Sequence, residues 1–185
     1  MTEPATGIVD RDLPDEGTVE VFAALVREHQ AMVYSLAHHF LRDPGAAEEL
    51  AQEVFLQLYE HLDDIESPAH AAHWLRRVTS HRCIDRARRR SHRPEAREVQ
   101  LTEVVEPRSP AESSDPLLAE KLRKLVASLP EKPRMVVILH FQEDLDASEI
   151  ASVLNMPVST VRSHLQRALV MLREKAARTL GDLKS

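Results

Sequence analysis

Apolar residues recur along most of this chain at three-, four- and seven-residue steps, the period of an amphipathic helix. From Thr18 the run Val21, Phe22, Leu25, Val26, Val33, Leu36 and Phe40 predicts a first helix. "RDPGAAEEL" breaks it, with Asp43 suited to an N-cap and Pro44 to the first helical position. The next helix runs to about Leu62 and turns Leu50, Val54, Phe55 and Leu58 inward. After "DDIESPAH", Ser67-Pro68 repeats the device and opens a long helix to about Ser91. It carries the single tryptophan, Trp74, expected in the core rather than as a stacking platform. Periodicity then stops. Residues 93–114 hold three prolines and scattered charge and read as a linker. Fully extended, it would reach roughly 70–80 Å, the length of roughly 20 base pairs of duplex. Asp115-Pro116 starts a helix to about Ser128. "LPEKPR" starts another through Met135, Val136, Leu139 and Phe141. Asp146 and Glu149 form a capping box before a short helix ending near Leu154, and a last helix runs from Pro157 to about Leu180. The expected fold is all-α. Two small helical domains, residues 18–92 and 115–181, are joined by a flexible linker at 93–114 and preceded by an acidic tail at 1–17 expected to be disordered.

Composition supports helices: Gly is scarce, at 4, so few positions break the pattern. One cysteine, Cys83, excludes an internal disulfide and fits a reducing compartment; a small buried role is expected for it. The first 20 residues lack an apolar stretch, so no signal peptide is expected. The longest strongly apolar run, Met135 to Leu139, is far too short to span a bilayer, so a cytoplasmic protein without membrane insertion is expected. Charge changes the picture more. Residues 1–66 carry 3 Lys/Arg against 15 Asp/Glu, and 67–97 carry 9 against 2. Residues 98–120 carry 1 against 6, and 121–185 carry 11 against 7. Two basic blocks separated by an acidic one suit a polyanion held at two places.

Two stretches carry candidate chemistry. "DASEIASVLNMPVSTVRSHLQRAL", residues 146–169, has two short helical patterns around "NMP", where Asn155 tolerates the left-handed backbone of a tight turn. This is the pattern of a helix-turn-helix, whose second helix enters the major groove by its N-terminal turns. Ser159, Thr160, Arg162, Ser163, Gln166 and Arg167 point away from its apolar face and are suited to base edges and phosphates. A plain helical hairpin with a polar surface would show a similar pattern. In "AAHWLRRVTSHRCIDRARRRSHR", residues 71–93, Arg86, Arg88, Arg89, Arg90 and Arg93 exceed what capping a helix end requires and would track phosphates.

Taken in order, "AAEELAQEVFLQLYEHL", "AHWLRRVTSHRCIDRARRR" and "LPEKPRMVVILHFQEDLDASEIASVLNMPVSTVRSHLQRALVMLRE" resemble the extracytoplasmic-function (group 4) RNA polymerase sigma factors of the sigma-70 family, over residues 18–180. The resemblance implies that 18–92 is a sigma-2 domain, which binds core polymerase and melts the −10 promoter element. It makes 115–181 a sigma-4 domain that reads the −35 element as duplex. It implies contacts from Glu48, Glu49, Gln52, Glu53 and Leu56 to the coiled coil of the polymerase β′ subunit, and from sigma-4 to the β flap. It places Arg77, Ser80, His81, Arg88, Arg89 and Arg90 at the single-stranded −10 element. The family often has Asn where this chain has His81, which leaves the base read there in question. An anti-sigma factor is a further implied partner. No cofactor, no metal site and no catalytic residue are expected, because the chemistry belongs to the polymerase.

Three rivals stand beside it. A stand-alone helix-turn-helix regulator would explain only the last third. A metal enzyme would have to use His70, His73 and Glu66, or Cys83 with His81; Glu66 falls in a loop, and neither set reaches a full ligand complement. A protein-only helical adaptor fits poorly with two basic blocks.

Overall fold

Several helices begin where a side chain relieves the unpaired N–H groups of the first turn. The computed structural model describes residues 15–91 and 116–181; residues 1–14, 92–115 and 182–185, with the expected linker and its Asp115 cap, lie outside them. Helix α1 spans Glu16–Leu41. It starts before the expected Thr18 because the Asp15 carboxylate accepts the Thr18 N–H at 2.6 Å. It ends at Arg42, which adopts the left-handed conformation at φ 56°. Helix α2, Pro44–Glu60, is capped by Asp43, whose Oδ1 accepts the Ala46 N–H at 3.0 Å. A 3-10 turn, Leu62–Asp64, follows. In helix α3, Pro68–Ser91, the Ser67 hydroxyl accepts the His70 N–H at 3.1 Å. Helices α4 (Pro116–Ala127), α5 (Glu131–Phe141), α6 (Ala147–Leu154) and α7 (Val158–Gly181) complete the order, and no strand occurs among the described residues.

Helices α1, α2 and α3 pack mutually, and α4, α6 and α7 gather on α5. Leu36, Phe40, Leu50, Leu58 and Leu75 fill the first bundle. In α5 five consecutive residues, Met135 to Leu139, are buried. A helix apolar on all sides must be enclosed, and α5 accordingly touches α1, α3, α4, α6 and α7. One apolar cluster therefore runs through both helix groups. Phe141, the last apolar position of the predicted helix, is 64% exposed. It is the last residue of α5, past the buried run, and rests its ring on His140 at 4.7 Å. Trp74 is partly buried against the core, and Cys83 is fully buried. Burial pushes the Cys83 thiol up to about 12, so it stays protonated and unreactive at neutral pH.

The capping box at α6 is complete. Asp146 Oδ1 accepts from the N–H groups of Ser148 and Glu149, and the Asp146 N–H donates to Glu149. Asp146→Ala is expected to lower stability by about 1 kcal/mol in urea unfolding. An unchanged midpoint would mean that α6 is held by packing alone.

Candidate functional site

Helix α2 shows two polar stripes with different fates. Side chains four apart share a face, and neighbours in sequence lie about 100° round the helix. Glu49, Glu53 and Gln57 turn toward α3 and meet arginines spaced by four. Arg82 donates to Glu53 at 3.2 Å and to Gln57 at 3.1 Å. Arg86 donates to the Ala46 carbonyl at 3.3 Å and pairs with Glu49. Arg90 donates to Asp43 at 3.0 Å. The ladder runs antiparallel along the two helices. Most of these groups are well exposed, and exposed pairs contribute about 0–1 kcal/mol each. Its main effect is to orient side chains.

The other stripe, Glu48, Gln52 and Leu56, lines a groove of about 840 Å³ with Phe55 and, from α1, Phe22, Val26 and Tyr34. Leu56 is 66% exposed there. The five α2 residues expected to meet the polymerase are therefore split: Glu48, Gln52 and Leu56 face the groove, while Glu49 and Glu53 are tied to α3. The α1 lining of the groove went unmarked in the sequence, where Phe22 and Val26 read simply as core positions.

The same division runs through the basic helix. Arg86 and Arg90 belong to the ladder, whereas Arg77, His81, Arg88 and Arg89 lie exposed. Arg93 is outside the described residues. Ser80, expected at the DNA surface, is fully buried, and its hydroxyl has no hydrogen-bond partner. It shares an α3 face with His73 and Arg76, at steps of seven and four, and both of those residues are engaged by α6 and the turn before it. Burial, then Arg77, His70 and Arg76, depress the His73 pKa. The imidazole lies 2.9 Å from the Ser152 hydroxyl of α6.

In the second group the helix-turn-helix is formed by α6 and α7. Asn155 takes φ 50° and ψ 55° and ends α6. The Met156 N–H closes back on the Ala151 carbonyl at 3.0 Å, as in a left-handed helix cap. Val161 and Ala168 are buried, which turns α7's polar face outward. Ser159, Arg162, Ser163, Gln166 and Arg167 are exposed and Thr160 is half-buried. All six expected residues thus share one accessible face. Among the described residues no three His, Cys, Asp or Glu side chains converge on a metal-sized site, and no helix is long and apolar enough to cross a membrane.

Residues 25–93 match the family model for Sigma-70 region 2, and residues 119–172 that for Sigma-70, region 4. The chain is 30% identical to the ECF RNA polymerase sigma-E factor of Escherichia coli K12, over 91% of this chain and 93% of that one. It is 29% identical to a probable RNA polymerase sigma factor, RfaY, of Xanthomonas campestris pv. campestris, over 86% of this chain but 41% of that longer protein. The fold is similar to that of the Bartonella quintana sigma factor RpoE, solved with the anti-sigma factor NepR. The TM-score is 0.66 at 18% identity, covering 84% of this chain and 96% of that one. The chain belongs to the extracytoplasmic-function sigma factors of the sigma-70 family, the non-enzymatic transcription initiation factors that direct RNA polymerase to particular promoters.

The bond from Ala46 and the Arg90 guanidinium hold the Asp43 carboxyl below the usual carboxylate range. A depressed folded pKa adds stability that is fully present above the ordinary carboxylate value and lost as pH falls through the folded one. Asp43→Ala is expected to cost about 1 kcal/mol at pH 7. In urea unfolding at stepped pH, the gap to wild type should narrow on acidification below pH ~4. A gap independent of pH would contradict the charged cap.

Proposed function

We propose that residues 18–92 act as the sigma-2 domain and 115–181 as the sigma-4 domain of a promoter-selective factor that docks on core RNA polymerase in the cytoplasm and has no reaction of its own. The observation that carries this reading is the open α1–α2 groove on the same chain as an exposed helix-turn-helix face. A stand-alone helix-turn-helix regulator has no use for the first bundle. The groove, walled by Phe22, Val26, Phe55 and Leu56 and edged by Glu48 and Gln52, fits an amphipathic, basic helical partner such as the polymerase β′ coiled coil. Leu118 and Leu122, 55% and 56% exposed on α4, offer sigma-4 an apolar strip four residues apart for the β flap.

On DNA, Arg162 and Arg167 of α7 serve phosphates or guanine edges of the duplex −35 element, and Ser159, Thr160, Ser163 and Gln166 serve neighbouring groups. Arg77, His81, Arg88 and Arg89 face the −10 strand, where melting costs a few kcal/mol per unstacked step and a basic surface offsets part of it. Arg90, held by Asp43, plays a supporting role. Ser80, fully buried, does not reach DNA in this arrangement. An anti-sigma factor is a fitting regulator, as the solved sigma factor of similar fold carries one.

The test of docking is co-elution with core RNA polymerase. Gln52→Ala with Leu56→Asp should abolish it, while Glu49→Gln, on the other stripe, should leave most of it. Equal loss in both would remove the stripe assignment, and no binding by wild type would favour the stand-alone regulator. Arg162→Ala should weaken −35 duplex binding by about 1–3 kcal/mol if it reads a base, or reduce the salt slope by about 1 if it holds a phosphate; neither change would remove it from the interface.

A further inference from the structure

Three arginines of α3 are neutralised before any nucleic acid arrives. Arg82 donates to Glu53 at 3.2 Å, Arg86 pairs with Glu49, and Arg90 donates to Asp43 at 3.0 Å. The acids are not hidden beneath their partners: the Glu49 and Glu53 side chains are 67% and 48% exposed. The α2 side of the basic helix therefore presents as many anions as cations to solvent. Orientation alone does not call for acids here. Arg82 also donates to the neutral amide oxygen of Gln57 at 3.1 Å, and Arg86 to the Ala46 carbonyl at 3.3 Å. Uncharged acceptors thus hold the same guanidiniums. What the carboxylates add is charge, and exposed ion pairs add little stability.

The rest of α3 is arranged differently. At about 100° per residue, Arg77, His81 and Arg88 lie within about 40° of one another round the helix. Arg77 and His81 stand about 140° and about 100° away from Arg82. Asp85, exposed, lies between, about 40° from His81 and about 60° from Arg82. Going round α3, a basic line gives way to a carboxylate and then to the neutral ladder. A phosphate on the line meets positive charge. One displaced toward α2 meets Asp85, Glu53 and Glu49. Salt-dependent affinity counts the phosphates neutralised, whatever their sequence. Arginines 82, 86 and 90, if unpaired, would add to that count without reading a base.

We propose that Asp43, Glu49, Glu53 and Asp85 form an acidic border that keeps nucleic-acid phosphates off the α2 side of α3 and confines the strand to the Arg77–His81–Arg88 line. The proposal rests on the sigma reading above, which makes that strand the −10 element. The border acts by exclusion. A strand that strays across it gains nothing from three arginines and is repelled by exposed carboxylates. Contacts on the line remain, where base edges can be read. The border thereby lowers binding that ignores sequence and raises the ratio of specific to non-specific affinity, the quantity that decides promoter choice.

The test measures binding of the full chain to oligothymidylate, a single strand without promoter sequence, across a salt series. Glu49→Gln and Glu53→Gln keep an acceptor for Arg86 and Arg82 and remove only charge. Each is expected to raise affinity several-fold at low salt. Each should also steepen the slope of log K against log salt by about 0.7, the contribution of one further phosphate. Arg82→Gln combined with Glu53→Gln should return the slope to that of wild type. Glu28→Gln, the same charge change on an exposed position of α1 outside the ladder, should leave the slope unchanged. Slopes unmoved by Glu49→Gln and Glu53→Gln, or moved as much by Glu28→Gln, overturn the border. A fall in affinity also overturns it, because the acids would then serve only to position arginines for binding. Co-elution with core polymerase is read on the same preparations. Wild type that fails there overturns the sigma reading, while the slopes still decide the border.

Discussion

Helix α3 must be gripped firmly on some faces while others stay free for nucleic acid, and the rest of the structure follows from how that is managed. Its apolar anchors, Ala71, Leu75, Cys83 and Ile84, are few for 24 residues. The shortfall is met by arginines at 82, 86 and 90, which lean across α2 and turn a repelling run of cations into cross-links. Arginine suits this because its planar fork can serve two acceptors at once, as Arg82 does with Glu53 and Gln57. With those three bound, Arg89 stays exposed on a fixed rod.

The same ladder sets the character of α2. By taking up Glu49 and Glu53, it leaves Glu48, Gln52 and Leu56 as a stripe over the groove, with less net negative charge and more apolar surface than the sequence suggests. Specific docking relies on such a mixed surface, since apolar contact supplies most of the affinity and a few charges supply orientation and rate. Helix α5 is the counterpart in the other group. Its five buried residues in succession leave it no free face, and it draws on α1 and α3 as well as on its own neighbours. The contact between the two helix groups follows from that demand for cover.

Much of this was legible in the sequence. The 3.6-residue period located the seven α-helices found among the described residues, and cap chemistry fixed starts at Asp43, Ser67 and Asp146. The left-handed turn at Asn155 followed from a residue type that adopts that backbone more readily than most. The outward face of α7 followed from Val161 and Ala168 pointing in. What stayed hidden depends on partners distant in the chain. Glu48 and Glu49 differ by one position and about 100°, and nothing local says which of them meets an arginine more than thirty residues on. Arg90 looked like a phosphate ligand because Asp43, its partner, lies on another helix. Ser80 looked exposed because its sequence neighbours are polar, yet tertiary packing buries it completely. Periodicity reports which side of a helix is apolar, but not which of its polar residues another helix will claim.

The most direct test of the central claim is transcription itself. Core RNA polymerase, supplemented with the purified chain, would be run on fragmented genomic DNA from the source cell and the RNA 5′ ends mapped. The account predicts a small set of discrete start sites, each preceded by two shared sequence elements at constant spacing and absent with core polymerase alone. Start sites unchanged by adding the chain, in a preparation where it is folded and binds DNA, would contradict it.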